Sequence, residues 1–271
     1  MFVYFFLEVY LYLLLKKKTK VKKALRYFLE LQYKGTNYHG WQRQPNAISV
    51  QQVLEEKLSL LLRNNTEIVG AGRTDAGVHA KFIVAHFDIE INIDEIDFRY
   101  KLNSILPNDI AVKNIKAVKE DAHARFDAVL RSYEYHLLLE KNPFLIDNAY
   151  YLKRRVDIDR MNEAAKLLLN HINFKCFSKS KTDVKTYNCN IASARWELKD
   201  DRYVFYISAD RFLRNMVRAI VGTLIEIGEG KMKVQDMERI ILSQNRNDAG
   251  YSVPAEGLYL TDVKYPDHIY L

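Results

Sequence analysis

Between positions 25 and 33 the bulky residues Leu25, Tyr27, Leu29, Leu31 and Tyr33 alternate with smaller or polar ones, the two-residue period of a strand with one buried face. The period then lengthens. Val50, Val53, Leu54, Leu58, Leu61 and Leu62 keep helical spacing behind Ser49 and Gln52, which are spaced as a capping box. Residues 82–91 read as a returning strand, 94–105 as a helix stopped by Pro107-Asn108-Asp109, and 110–118 as a strand. A strand follows at 129–140, with Arg131, Tyr133, Tyr135, Leu137 and Leu139 on one face. Asn142-Pro143 interrupts the pattern. Beyond it come a helix over 159–169, a polar, lysine-bearing mobile loop over 177–190, and a hairpin from 191–198 and 203–209 across Lys199-Asp200-Asp201. Residues 210–226 predict a two-faced helix, with Arg211, Arg214 and Arg218 on one stripe and Met216, Val217, Ile220, Val221 and Leu224 opposite. Val234, Met237, Ile240 and Ile241 suggest a last helix. Strands and helices are thus mixed in both halves, an α+β pattern.

Composition narrows the class. At 271 residues, 48% hydrophobic and 28% charged, the chain has globular composition and material for one large domain or two small ones. Its net charge of +7 suggests a polyanionic partner, but Lys16, Lys17, Lys18 and Lys20 against Glu8 supply +3 of it, leaving +4 for the rest. Cys176 and Cys189 match neither a zinc pair nor a redox motif, which favours reduced, partly buried thiols in a cytoplasmic protein. The seven histidines have no ligand spacing, so no metal is expected. The apolar stretch 2–15 is shorter than the roughly 20 residues that span a bilayer, and no basic segment precedes it. Residues 1–20 therefore read as an appendage, such as a misplaced start codon would add, with a membrane-surface anchor as the alternative.

Candidate chemistry centres on residues 70–80, Gly-Ala-Gly-Arg-Thr-Asp-Ala-Gly-Val-His-Ala. Three glycines permit positive φ or close ligand approach, and Arg73 and Asp75 place opposite charges two residues apart. The dinucleotide fingerprint fails because Asp75 stands where its third glycine belongs, and no Walker motif is present. By residue type alone this stretch is a turn or a contact loop, and the order strand, helix, loop, strand places Asp75 at an edge of the sheet. Trp41, near His39 and Arg43, is either a nucleic-acid stacking ring or a core plug. The arginine stripe is either a solvated face or an RNA contact.

The stretch 70–80 resembles the signature of the tRNA pseudouridine synthase A family. Gly-Thr-Asn-Tyr-His-Gly-Trp-Gln at 35–42 resembles that family's opening motif, although Lys34 stands where members usually carry Asp. Arg-Ser-Tyr-Glu-Tyr at 131–135 resembles the second motif, and 212–222 the third; with the closing stretch 251–260 the likeness covers residues 24–266. It implies an α+β fold of two similar halves whose antiparallel, RRM-like sheets join into a central sheet with helices packed on it, and a cleft between them. The halves are expected at 21–141 and 142–271. The implied activity is isomerisation of uridine to pseudouridine in the tRNA anticodon stem-loop, at tRNA positions 38–40, by an Asp nucleophile without cofactor. In that reading Asp75 is catalytic, Arg218 pairs with it, and Tyr133 lies against the target base. Arg73, Arg131 and Arg214 bind substrate, Arg214 through RNA phosphate, with Arg73 also helping to hold Asp75. A homodimer acting on tRNA, with no need of a membrane, is implied as well. Two rival classes are a non-catalytic RNA-binding protein, which would not need Asp75, and a glycosidase, which usually employs a carboxylate pair.

Overall fold

The computed structural model describes residues 24–180 and 184–271; the expected appendage at 1–20 lies outside them. In chain order the elements are β1 Leu25–Tyr33, α1 Val50–Leu62, β2 Val69–Gly70, β3 His79–Ile89, α2 Glu95–Ile105, β4 Ile110–Val118 and β5 Leu130–Leu138. They continue with β6 Tyr150–Tyr151, α3 Ile158–Leu167, β7 Ile191–Lys199, β8 Arg202–Ala209, α4 Met216–Gly228, α5 Asp236–Ser243 and β9 Leu258–Lys264. All the main strands join one sheet in the order β4-β1-β3-β9-β5-β8-β7, with β2 beside β3 and β6 beside β5. The fold is α+β, as the sequence predicts.

Alternation along β1 works as read. Tyr27, Leu29, Leu31 and Tyr33 are buried in one core with Val50, Leu54 and Leu58 of α1 and Phe98 and Leu102 of α2. On the opposite face Phe28 is covered by the rings of Tyr265 and Tyr270 from the end of the chain. A second core gathers Tyr135 and Leu137 of β5, Trp196 of β7, Phe205 of β8 and the apolar residues of α3, α4 and α5. Strand β5, which falls in the first half by sequence position, therefore packs with the second core.

The two cores meet where β9 enters between β3 and β5. It pairs antiparallel with β5 but parallel with β3, through His79↔Tyr259 and Ala80↔Leu260. Asp75, expected at a sheet edge, instead lies in the loop that feeds β3 at the sheet's middle; the edges are β4 and β7.

Local chemistry explains the helix boundaries. Ser49 accepts the backbone N–H of Gln52 at 3.3 Å, half of the predicted capping box, while the Gln52 side chain turns to Glu56 instead of reaching back. The helix expected over 210–226 begins only at Met216, because Asn215 takes a left-handed backbone (φ 67°). Arg211 and Arg214 therefore sit on a loop. The helix itself is buried nearly all round, only Arg218 and Glu226 escaping full burial. The segment 177–190, expected to be a mobile loop, is pinned at both ends: Phe177 and Cys189 are buried, and Asn173 bridges to Asn188. Residues 181–183 lie outside the description. No helix among the described residues is long and apolar enough to cross a membrane.

Candidate active site

The loop between β2 and β3 is held by the segment after β1. Trp41 N–H donates to Thr74 O at 3.3 Å and Gly77 N–H to Tyr38 O at 3.2 Å, while Val78 N–H closes a turn on Asp75 O at 3.2 Å. Of the three glycines in the loop, Gly77 takes a positive φ, 78°. Trp41 is 2% exposed and packs on Tyr33, so it is the core plug and not the stacking ring. Beneath the loop the Tyr33 hydroxyl lies 2.9 Å from the Thr74 hydroxyl, and burial pushes the Tyr33 phenol well above its ordinary range. Thr74 and Asp75 thus stand on a braced backbone.

From the other core, Arg218 in the first turn of α4 donates Nη1–H to Asp75 Oδ2 at 3.3 Å and Nε–H to Val253 O at 2.7 Å. Val253 N–H in turn donates to Arg218 O at 3.2 Å. A cation in a helix's first turn opposes the helix dipole; the Asp75 carboxylate offsets that. Arg214, on the loop before α4, brings Nε within 3.6 Å of Asp75 Oδ1 with its side chain 60% exposed. Asp75 therefore faces two guanidinium groups. Arg73, expected to help hold it, turns away and donates to Gln42 Oε1 at 3.0 Å.

Tyr133 rises from β5 beside this pair, edge-on to Phe212 with ring centroids 5.1 Å apart. Its hydroxyl is pushed up to about 12, first by burial, with Arg131 opposing and Asp75 adding to the rise. It stays a neutral phenol at physiological pH. Arg131 does not present a free guanidinium. Its Nη1 donates to Ala128 O at 3.1 Å and Asp210 O at 2.7 Å, and its Nη2 to Ala71 O at 3.0 Å and Arg125 O at 2.7 Å. One side chain thus ties the Asp75 loop, the loop before α4 and the turn at 125–128 together. Periodicity found Arg131, but the carbonyls it serves are up to 79 residues away and leave no local signal. Phe212, Val253 and Arg246, which braces the 249–252 loop through Gly250 O and the Ser252 hydroxyl, were likewise missed as site residues.

Asp75, Arg214, Arg218, Tyr133, Phe212 and Arg246 line a cleft of about 2120 Å³ shared by both cores. Nine of its lining residues are Lys or Arg, against two acids, Asp75 and Asp210. That excess of seven exceeds the +4 carried by residues 21–271, so positive charge is concentrated here and the rest of residues 21–271 is net acidic. A cleft of this size and sign suits a polyanion's backbone and one extruded nucleotide. Burial pushes both cysteine thiols up to about 12, which makes them unreactive.

The sequence matches the family described as tRNA pseudouridine synthase over residues 31–127 and 164–266. It is 52% identical over 248 residues to tRNA pseudouridine synthase A of Bacteroides thetaiotaomicron, covering 90% of this chain and 92% of the relative. It is 51% identical over 246 residues to the protein of that name from Parabacteroides distasonis, covering 90% and 98%. It is 40% identical over 239 residues to tRNA pseudouridine synthase A 2 of Clostridium perfringens, covering 88% and 98%.

Proposed function

The chain belongs to the tRNA pseudouridine synthase family and is an isomerase acting on tRNA, and from that premise we propose that it converts uridine to pseudouridine in the anticodon stem-loop, at tRNA positions 38–40, with Asp75 as nucleophile and no cofactor. The reaction breaks the N1–C1′ bond, turns the uracil and forms C5–C1′; N1 gains a proton and C5 loses one, so no redox partner or net water is consumed. The observation that carries the reading is the 3.3 Å contact between Arg218 and Asp75, made across the two cores at the floor of a cationic cleft.

Arg218 aims the carboxylate, since a guanidinium fixed by Val253 O leaves Asp75 one preferred orientation. Arg214, more exposed, lets go of Asp75 to meet an RNA phosphate when substrate enters, and Arg73 at the rim contacts the same backbone. Tyr133 lies against the extruded uracil. Extrusion costs roughly a few kcal/mol, which phosphate contacts along the cleft offset. Arg131, in contrast, acts by holding the loops and not by touching RNA. The enzyme works as a cytoplasmic homodimer, each chain made of two halves with β5 packed in the second.

Mapping pseudouridine in tRNA from cells with and without this protein tests the reading. Loss of the modification at tRNA positions 38–40 alone is the expected result. An unchanged map, or loss elsewhere, overturns the assignment.

A further inference from the structure

The turn between β4 and β5 carries a motif that the proposed chemistry leaves unused, Ala124-Arg125-Phe126-Asp127-Ala128. Phe126 is 74% exposed on the wall of the cleft that holds Asp75 and Tyr133. Exposure alone would mean little, since single exposed apolar residues are common. What sets this ring apart is how firmly it is presented.

His123 lies against it with centroids 4.2 Å apart, and the Arg125 guanidinium sits 5.7 Å from its centre. His123 Nδ1 accepts the backbone N–H of both Arg125 (3.1 Å) and Phe126 (3.3 Å). Burial lowers the His123 pKa, which keeps that lone pair available. Asp127 closes the turn, accepting His123 N–H at 2.7 Å and donating its own N–H to His123 O at 3.1 Å. The Ala124 N–H is held by His86 and its carbonyl by the Tyr265 hydroxyl, while Arg131 takes the carbonyls of Arg125 and Ala128. A hydrophobic ring is thus locked out of the core by a hydrogen-bonded turn, backed by a second ring, on a positively charged wall.

We propose that Phe126 is a stacking platform for a second nucleobase of the RNA, one adjoining the extruded target and left without its stacking neighbour. A ring already fixed in place loses little freedom on binding, and base–aromatic stacking tolerates any base because each has a π-face. Arg125 reinforces the stack and reaches toward the neighbouring phosphate. The platform rests on the proposed RNA-modifying reading, and it assigns the turn a part in keeping the stem open while the target uracil turns.

The test compares wild type with Phe126→Ala, Phe126→Leu and Phe126→Trp, using fluorescence anisotropy on a labelled anticodon stem-loop RNA together with its conversion rate. Phe126→Ala should weaken binding by roughly 5–150-fold, the range for losing one stack. Phe126→Trp should hold near wild type, and Phe126→Leu, apolar but without a π-face, should fall with the alanine variant. The melting temperature should not move, because the ring is exposed. Equal binding by Phe126→Ala and wild type overturns the proposal, as does restoration by leucine. A change in oligomeric mass with RNA affinity intact would overturn it by showing a protein contact instead. Binding is read independently of isomerisation, so a wild type that binds but forms no pseudouridine overturns the proposed reaction while the platform is still scored.

Discussion

Replacing Arg131 with lysine keeps the charge and removes the fork. The guanidinium serves four carbonyls, those of Ala71, Arg125, Ala128 and Asp210, at 2.7–3.1 Å. An ammonium has three protons on one nitrogen and reaches about two of these oxygens. Two part-buried carbonyls then lose a charged donor, at about 1–2 kcal/mol each after allowance for water reaching them, or roughly 3 kcal/mol in total. For a chain of this length that lowers the melting temperature by about 6–12 °C. Ala71 O, which anchors the Asp75 loop, and Asp210 O, which anchors the segment carrying Arg214, are held by the two different terminal nitrogens of the fork, a bridge that one ammonium nitrogen does not reproduce. The two supports of the ion pair are then no longer tied together, and kcat should fall on the order of tenfold or more with a smaller change in KM. Thermal unfolding and steady-state conversion of tRNA measure the two effects, and millimolar guanidinium added to Arg131→Ala should restore part of the rate. A lysine variant melting within about 2 °C of wild type, with only its RNA affinity reduced, would refute the reasoning and place the guanidinium on substrate.

Two further outcomes follow from the same geometry. A methyl group on Gly222 of α4 would lie 1.8 Å from the Tyr251 carbonyl oxygen, so Gly222→Ala should displace the 251–253 loop, cost about 1–3 kcal/mol by overpacking, and slow conversion by shifting Val253 O from Arg218; thermal melts and rates on one preparation check both. Burial lowers the His86 pKa from 6.5 to about 4, and neutral His86 Nδ1 accepts the Ala124 N–H. The unfolded chain therefore binds the extra proton first, and stability is full above pH 6.5 and drains away as pH falls toward 4, by at most about 3 kcal/mol from this group. Denaturant midpoints at several pH values should show that slope, and His86→Gln should flatten it.

Much of the architecture is written locally. The alternation in β1, the hairpin β7–β8 and the apolar spacing of α1 each follow from near neighbours, and the structure forms them within a residue or two of the sequence reading. Long-range pairing is not written this way. Nothing near His79 announces that its parallel partner is Tyr259, 180 positions on, yet that pairing moves Asp75 from an edge to the centre of the sheet. The stripe Arg211, Arg214, Arg218 was misread for a related reason. Its spacing is helical, but one left-handed residue, Asn215, a type that tolerates positive φ, unwinds the first two arginines, and its side chain is held by the Ser252 hydroxyl from 37 residues on. Even so, Arg214 and Arg218 converge on the same carboxylate. Arg73 shows the converse: sequence adjacency to Asp75 promised a contact that the turn geometry directs to Gln42.

The central claim is that the Asp75 carboxylate attacks the substrate. Asparagine at this position keeps the shape and can still accept a hydrogen bond from Arg218, but it is not a competent nucleophile. Single-turnover formation of pseudouridine by Asp75→Asn, measured on an unmodified tRNA transcript beside its binding affinity, separates that role from a positioning one. The account predicts a loss of at least about 10³-fold in rate with affinity within a few-fold of wild type; a variant that still converts the transcript within tenfold of the wild-type rate would contradict it.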